Sequence, residues 1–368
     1  MMKYEFMAQY PLALKDSVTQ AFSIDFLARK LPNASSRWTE PVEIDDDWMR
    51  LMILSQAIAT PYKEQARLGM QRDPGGHRFW LKDCASAFLK GRLDEMKALG
   101  LYAPDLNLAH SSAFAPGSWS IQFSFTLRKP YISRDDVDFY ILDNPIKKEW
   151  VFKLPYIAPS QWKGSLRSAM VRELINDSPP AEEFAKRRFQ MARLFGDEKG
   201  QESGSLSGLA EFLDKEGGVE AVDKFHQLER KHFGGEEGDP LSHNRGILHF
   251  YPTYFDRMGL EMINPHDRET GSGKLPIYFE CVPEGADSVG IFSLLCVPMP
   301  GPEQSRESIE EQAKRDIEAV ARGIFAMMTH YGFGAKTGSG FGLANIKYFD
   351  AKVDPIGLRS VLLDSWNQ

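Results

Sequence analysis

The 368-residue chain is long enough for two or three packed units, and its 42% hydrophobic and 26% charged content is typical of a globular protein. Its cysteines, Cys84, Cys281 and Cys296, are too few and too scattered for a disulfide framework or a cysteine zinc site. The net charge of −7 argues against a general nucleic-acid coat. No apolar stretch has the length of a membrane span, and the first residues do not resemble a signal peptide. We therefore expect a soluble, cytoplasmic protein with no membrane partner.

Residues 1–115 are predicted to form a helical N-terminal extension. Asp45-Asp46-Asp47 is typical of a helix cap, and apolar residues recur at helical spacing after it. A second helix is predicted from about Trp80 to Leu99, before a glycine stop. Ala115-Pro116-Gly117 then marks the boundary to a second domain, which we place at residues 116–368.

The second domain is predicted to be an α+β fold with a ferredoxin-like, RRM-like sheet. Apolar and polar residues alternate from Trp119 to Leu127, the pattern of a half-buried strand. Helices are predicted over about Ser160–Ile175 and Ser308–Tyr331. Further strands are predicted at Gly246–Tyr251, Ile277–Val282, Val289–Val297 and Leu343–Phe349. The order strand, helix, strands, helix, strand fits this fold, with the charged residues 181–243 as a helical insertion.

Asp143 is the first candidate for a functional residue. It lies in Leu142-Asp143-Asn144-Pro145, on a polar turn a short loop before a predicted helix. Asp and Asn side chains also bond their own backbone, so the tripeptide alone favours an ordinary turn. The residues that follow it along the chain favour a functional role.

A group of candidate binding residues lies in Lys163-Gly164-Ser165-Leu166-Arg167, where the predicted helix begins. A helix N-terminus with Lys and Arg in its first turns attracts phosphate. From Arg128 to Arg172 the chain has nine basic and five acidic residues, which suits one confined polyanion groove inside an acidic protein. A solvated face of mixed charge is the alternative that charge alone leaves open.

The glycine-rich stretch Gly332–Gly342 lacks the P-loop pattern and follows a helix rather than a strand, which argues against an ATP or NAD site. Its backbone is predicted to lie against a phosphodiester chain, with a plain turn as the alternative. The candidate residues are Lys336, Thr337, Gly338, Ser339 and Gly340. His249, His266 and His330 are not at metal-ligand spacing, and His77 is predicted to lie in a loop without a functional partner.

Several short segments occur in the order typical of the RAMP superfamily, and the chain resembles the backbone (Csm- and Cmr-type) subunits of type III CRISPR effector complexes. The segments are Leu142-Asp143-Asn144-Pro145-Ile146, Leu154-Pro155-Tyr156-Ile157, Lys163-Gly164-Ser165-Leu166-Arg167, Arg193-Leu194-Phe195-Gly196, Gly246-Ile247-Leu248-His249-Phe250, Ile263-Asn264-Pro265-His266-Asp267 and Gly332–Gly342. They cover roughly residues 118–350. The family's Pro-Gly-Ser-Ser is replaced by Ala158-Pro159-Ser160-Gln161, and residues 1–115 have no counterpart in the short backbone subunits.

The resemblance implies an antiviral-defence subunit that binds a guide RNA, pairs it with target RNA and assembles with other type III effector subunits. Lys163, Gly164, Ser165 and Arg167 would hold guide phosphates. Asp143 would act in target-RNA cleavage, which makes the chain a metal-dependent endoribonuclease. Because a free Asp has a pKa of ~3.9 and is a poor base near neutrality, we favour Asp143 as a ligand of Mg²⁺ or another divalent metal, or as an orienting group, over Asp143 as the main proton acceptor. That site would be complete only with RNA bound.

Two other functions stay open. One is a scaffold of the same superfamily that binds guide RNA and in which Asp143 is only a turn residue. The other is a stand-alone ribonuclease that processes guide-RNA precursors. Such chemistry usually needs a histidine as general acid or base. His249 or His266 could be brought to the Lys163 helix by folding.

Overall fold

The computed structural model describes residues 44–59, 63–70, 73–108, 114–136, 139–198, 208–234, 245–265, 273, 276–298 and 305–366. The described residues divide into two compact units, each assembled from three stretches of chain. Unit 1 takes the described residues up to Tyr102, then residues 127–156 and 254–289. Unit 2 takes residues 103–126, 157–253 and the described residues from Gly290 onward. The domain limits at residues 1–115 and 116–368 stay a prediction.

The described helices and strands follow in chain order. The helices are α1 (Asp47–Leu54), α2 (Lys63–Arg67), α3 (Gly76–Asp83), α4 (Ala85–Ala98), α5 (Pro159–Asp177), α6 (Ala181–Phe195), α7 (Gly208–Phe233), α8 (Arg306–Ala326) and α9 (Arg359–Trp366). The strands are β1 (Gly69–Met70), β2 (Asp73–Pro74), β3 (Trp119–Leu127), β4 (Tyr156–Ile157), β5 (Leu248–Phe250), β6 (Thr253–Tyr254), β7 (Gly259–Ile263), β8 (Ile277–Cys281), β9 (Gly285–Cys296), β10 (Ala344–Ile346) and β11 (Lys352–Asp354). No helix in these ranges is both long and apolar enough to cross a bilayer.

The described part of unit 1 begins with helices α1 to α4. Asp46 caps α1, since its carboxylate accepts a hydrogen bond from the Met49 N–H at 2.9 Å. The helix predicted over Trp80–Leu99 is two helices in the structure, α3 and α4, which meet at Cys84. The predicted stop is confirmed, because the chain turns at Gly100 with φ +70°.

Unit 1 is held by an aromatic cluster and a hairpin. Trp48 packs against Trp80, Phe88 and Tyr140 with ring centroids 6.1 to 6.4 Å apart. Strands β7 and β8 pair antiparallel, in the register Gly259 to Cys281. This hairpin brings Glu280 of β8 into the interior of the unit, where it is fully buried.

Unit 2 contains the sheet predicted from the sequence. Its strands are ordered β10-β3-β9-β5, and β11 also pairs with β3, antiparallel along Ser120–Gln122. The alternation in β3 is confirmed, with Ile121, Phe123 and Phe125 buried. Along the chain, β3, α5, β5, β9, α8 and β10 follow one another, which confirms the α+β, ferredoxin-like arrangement. The helices α5 and α8 pack closely, because a Cβ on Gly323 would lie 2.4 Å from Cγ of Met170.

Trp162 fixes the orientation of α5. Its fully buried ring packs against Phe125, Phe292 and Phe333, at 4.7 to 5.9 Å between centroids. Its indole N–H donates to the hydroxyl of Thr253 at 3.1 Å. The next residue, Lys163, is half-buried. Because Trp162 is fixed in the core, the position of Lys163 on α5 is fixed as well.

The predicted insertion forms α6 and α7, which pack on each other within unit 2. Its most deeply buried described charge is Arg188, whose guanidinium bonds Glu198 at 2.7 and 3.0 Å and Asp214 at 2.7 Å. A buried cation needs such partners. The charged composition of the segment thus serves in part to hold these helices together.

Candidate functional site

Asp143 lies on an exposed loop of unit 1. Its side chain is 73% exposed, while that of Arg67, at the end of α2, is 11% exposed. Arg67 Nη2 donates to Asp143 Oδ2 at 2.6 Å. The carboxylate is therefore accessible on one side and held by a cation on the other.

Backbone contacts to strand β8 hold the loop that carries Asp143. The side-chain amide of Asn144 donates to the backbone carbonyl of Tyr278 at 3.2 Å. The backbone carbonyl of Asn144 accepts the N–H of Glu280 at 3.0 Å. The Ile146 N–H donates to Oε2 of Glu280 at 3.1 Å. The residues directly after Asp143 are thus tied to a buried carboxylate.

Glu280 is the centre of a buried polar cluster. It accepts from Lys148 Nζ at 2.5 Å and from the Tyr140 hydroxyl at 2.5 Å, and it lies 2.9 Å from His77 Nε2. Burial alone would raise the pKa of Glu280, but Lys148 and the hydrogen bond from His77 lower the pKa to about 2. Burial and the Glu280 charge raise the pKa of Tyr140. The carboxylate is therefore ionised in the folded protein.

The prediction for His77 was wrong. His77 lies in α3, not in a loop, and it is fully buried with Glu280 as its partner. The two residues are 203 positions apart, so no local pattern could have linked them.

The surroundings of Asp143 do not fit a resident metal. Within the ranges that the structure describes, no group of three or more His, Cys, Asp or Glu side chains is placed to hold an ion. One of the two Asp143 oxygens is already bound by Arg67. A single carboxylate with a cation beside it is a weak donor set for Mg²⁺, which needs about six oxygens. The expected divalent metal remains a prediction that depends on RNA.

The Lys163 region of unit 2 carries three neighbouring cations, Lys163, Arg167 and Arg245, which we call the basic cluster. Burial, together with the charges of Arg167 and Arg245, lowers the pKa of Lys163. Burial also lowers the pKa of Arg167, whose Nη1 donates to the Asp197 carbonyl at 3.3 Å. Among the described side chains, no carboxylate forms an ion pair with any of the three. The three side chains concentrate positive charge in one place, and the only acid whose charge is found to act on Arg167 is Glu198.

His249 on strand β5 borders the basic cluster. Burial and the charges of Arg245 and Lys163 lower its pKa. A neutral imidazole therefore lies near two cations at neutral pH. His266, the other histidine considered, lies outside the described residues.

The contact between Gly246 and the end of α6 places Arg245. A Cβ on Gly246 would lie 2.3 Å from the carbonyl carbon of Phe195, so only glycine fits where these two segments cross. Gly196 and Arg245 form an isolated β-bridge at this crossing. Sequence reasoning missed Arg245 as a site residue, although Gly246 was part of the resemblance.

The predicted start of α5, at about Ser160, is confirmed to within one residue, but the basic residues lie further into the helix than predicted. The helix begins at Pro159, so Lys163 and Gly164 lie in its second turn rather than at its N-terminus. Pro159 has no N–H, and the N–H groups of Gln161 and Trp162 already donate to the Ala158 carbonyl. The attraction of this helix start for anions therefore comes mainly from the side chains of Lys163 and Arg167, and less from unpaired backbone N–H groups.

Two of the remaining candidates lie on this part of α5. Gly164 is exposed, and a Cβ added to it would meet no atom within 4 Å. Ser165 is half-buried. The helix thus presents a flat patch of bare backbone beside Lys163.

The glycine-rich loop is closed at its base by a contact between Phe333 and Gly342. Phe333 N–H donates to the Gly342 carbonyl at 3.1 Å. Gly342 has φ +71°, and a Cβ there would lie 1.9 Å from the Phe333 oxygen. Phe333 itself packs on Trp162, the residue before Lys163, with centroids 4.7 Å apart. The core of unit 2 therefore anchors both the loop and the basic helix.

The tip of the loop holds the other candidates. Lys336 is exposed and adopts φ +60°, and its carbonyl accepts the Ser339 N–H at 2.9 Å. Thr337 accepts from the Gly340 N–H at 2.9 Å. Gly338 and Gly340 each face open space, with no atom within 4 Å of an added Cβ. The turn geometry predicted as the alternative is present, and it leaves the glycines open to a ligand.

Comparison with known proteins gives the chain its family. A model of the RAMP superfamily matches residues 138–345, more than half of the chain. One similar solved structure is described as "Cryo-EM structure of the Type III-B Cmr-beta bound to cognate target RNA". The match covers 91% of the present chain and 90% of the chain in the solved structure, with 12% sequence identity and a TM-score of 0.39. No curated protein matches the chain. With the family model matching more than half of its length, the chain belongs to the RAMP superfamily.

Proposed function

We propose that this chain is a guide-RNA-binding backbone subunit of a type III CRISPR effector complex. The observation that carries the proposal is the basic cluster, Lys163, Arg167 and Arg245, in which no described carboxylate forms an ion pair with any of the three cations. Its partners would be guide RNA, target RNA and other effector subunits.

The chemistry of the basic cluster favours a phosphodiester ligand. Like charges at close range are costly, and a bound phosphate would relieve that repulsion through charge-assisted hydrogen bonds. Glu198, whose charge acts on Arg167, is itself bonded to Arg188. Much of the positive charge of the cluster is therefore available to a ligand.

The bare backbone of Gly164, Gly338 and Gly340 supports a chain-like ligand. Helical and turn glycines with open space above them let a sugar-phosphate chain approach closely. Contacts of this kind position a nucleic acid without reading its sequence. Sequence choice would come from base pairing with the guide, as in other RNA-guided systems.

We also propose that Asp143 orients target RNA for cleavage. RNA carries its own nucleophile, the 2′-hydroxyl, so in-line geometry matters most. Arg67 would have to release the carboxylate, and a phosphate oxygen is a suitable replacement partner for its guanidinium. Any divalent cation would take Asp143 as its protein ligand and RNA oxygens as the others. A scaffold without cleavage remains the alternative.

RNA binding is tested first. Titrate the full chain with labelled single-stranded RNA over a range of salt concentrations, and compare wild type with Lys163→Ala and Arg245→Ala. Each variant should weaken binding and reduce the salt slope by about 0.7, because each removes one phosphate contact. The matched control is Lys314→Ala, an exposed lysine on α8. Wild-type protein that binds no RNA would overturn the proposal.

His249 favours a second candidate function, a metal-independent ribonuclease. A neutral histidine beside Lys163 and Arg245 could take the proton of a 2′-hydroxyl while the cations stabilise the charged phosphate. Cleavage of precursor RNA in EDTA, lost in His249→Gln and kept in Asp143→Asn, would support this function. Absence of cleavage in EDTA would contradict it.

A further inference from the structure

The loop after Asp143 ends in an exposed tryptophan. Trp150 is 82% exposed and its neighbour Val151 is 74% exposed. Single exposed apolar side chains are common on protein surfaces. An indole exposed at the tip of a hairpin, however, places an unusually large apolar area in contact with solvent. The surrounding contacts indicate what this surface is for.

The tip is rigid. Glu149 N–H donates to the Leu154 carbonyl at 2.9 Å, and Lys153 N–H donates to the Glu149 carbonyl at 3.0 Å. The Glu149 carboxylate accepts the N–H groups of Val151 and Phe152 at 2.8 and 2.6 Å. The one acid of the tip is thus occupied by its own backbone. Trp150 is presented on a closed, pre-ordered turn, so a ligand would lose little entropy in ordering it.

A cation accompanies the exposed ring. Lys153 Nζ lies 5.6 Å from the centroid of Trp150 and 5.7 Å from that of Trp48. Lys153 adopts φ +60°, a left-handed conformation that favours glycine or asparagine. A lysine at such a position costs stability, about 1 kcal/mol or more. This conformation places the Lys153 ammonium beside the indole.

The charge of the tip favours a polyanion. Lys147 and Lys153 are both half-buried, and the only acid between them, Glu149, is the backbone cap. An aromatic ring with a cation beside it, as Lys153 lies beside Trp150, is an arrangement that binds single-stranded nucleic acid, since the ring stacks on a base and the cation meets a phosphate. A purely apolar protein partner would leave Lys153 without a counter-charge.

We propose that Trp150 and Lys153 form a stacking site for one base of single-stranded RNA, with the Trp150 ring against the base and the Lys153 ammonium beside the adjoining phosphate. This inference rests on the proposed RNA-binding function. It adds a contact in unit 1 that is separate in sequence from the basic cluster of unit 2. The site takes any base and gains most from purines, whose rings are larger.

The test uses the full chain with labelled oligoadenylate and oligouridylate of equal length. Trp150→Ala should weaken binding of oligoadenylate about 5- to 150-fold, and binding of oligouridylate less, with an unchanged salt slope. Trp150→Phe should keep most of the affinity. Lys153→Ala should reduce the salt slope by about 0.7. The control is Phe349→Ala, which removes an aromatic side chain that is 97% exposed in unit 2.

A direct readout of stacking comes from 2-aminopurine in the RNA. Its fluorescence should be quenched by wild type and by Trp150→Phe, and recover in Trp150→Ala. Thermal unfolding of each variant checks that the exposed substitutions leave the fold intact.

The outcomes separate the two proposals. If wild type binds neither oligomer, the RNA-binding function fails and this inference fails with it. If wild type binds RNA and Trp150→Ala binds as tightly as Phe349→Ala, only the stacking site is overturned. Reduced self-association of Trp150→Ala with unaltered RNA binding would likewise overturn it, and would assign the tryptophan to a protein contact.

Discussion

Arg67 donates from Nη2 to Oδ2 of Asp143 at 2.6 Å, so the carboxylate expected to act on RNA is held by a cation of its own chain. The pair is unequal, because the Arg67 side chain is 11% exposed and the Asp143 side chain 73%. An ion pair with one partner in solvent contributes about 1 kcal/mol or less. The contact therefore orients Asp143 but opens at little cost when a phosphate competes for the guanidinium.

The first prediction concerns Asp143→Asn. We expect the free energy of unfolding to fall by less than about 1 kcal/mol, because the carboxylate is exposed. RNA affinity should be retained, while cleavage of complementary RNA by the assembled complex should be lost. The measurement is a cleavage time course with Mg²⁺ beside a binding titration.

Asp136→Asn is the control for this prediction, since its side chain is 97% exposed in the same unit. It should cleave as wild type does. Equal cleavage by Asp143→Asn and wild type would leave Asp143 as a turn residue and favour the scaffold function.

The second prediction concerns Glu280→Gln. Loss of the buried negative charge leaves Lys148 without its ion-pair partner, so the free energy of unfolding should fall by about 3–5 kcal/mol. Urea denaturation measures this change. The double variant Glu280→Gln with Lys148→Met should regain part of the loss. Glu284→Gln, in which the wild-type carboxylate is 52% exposed, is the matched control and should change little.

The third prediction is a dependence of stability on pH. The pKa of Glu280 is about 2 in the folded protein and near 4.5 when unfolded, so the unfolded chain binds more protons between these values. The Glu280 contribution to the free energy of unfolding is complete above about pH 4.5 and is lost as the pH falls toward 2. Glu280→Gln should lack this component. Parallel pH curves for the two proteins would contradict the assignment.

The parts of the fold that follow local rules could be predicted from the sequence. The period-two pattern of β3 and the helical spacing of α8 each depend on neighbours along the chain, and both predicted elements are present. The start of α5 was predicted to within one residue, and Pro159 is a typical first helical residue. Such elements can be predicted because the residues that determine them are neighbours in the sequence.

The site depends on partners far apart in the sequence, which no local pattern reveals. Arg67 and Asp143 are separated by 76 positions, and Lys148 and Glu280 by 132. Glu280 lies in a strand that the sequence predicts, but it is a single acid among mostly apolar residues there, and nothing nearby in the sequence marks it as special. Its partners could be known only once the β7–β8 hairpin had brought it beside Lys148.

The last prediction compares two exposed helical glycines, Gly164 in α5 and Gly91 in α4. Neither has any atom within 4 Å of an added Cβ. Replacement of either by alanine should therefore raise the free energy of unfolding by about 1 kcal/mol, since alanine loses less backbone entropy in a helix. Only Gly164→Ala should weaken RNA binding, because its methyl group would stand on the surface beside Lys163 where the phosphate chain approaches. Thermal unfolding and RNA titration of both variants measure the two effects. A Gly164→Ala protein that is stabilised and binds RNA as tightly as Gly91→Ala would show that the ligand does not lie on this face of α5.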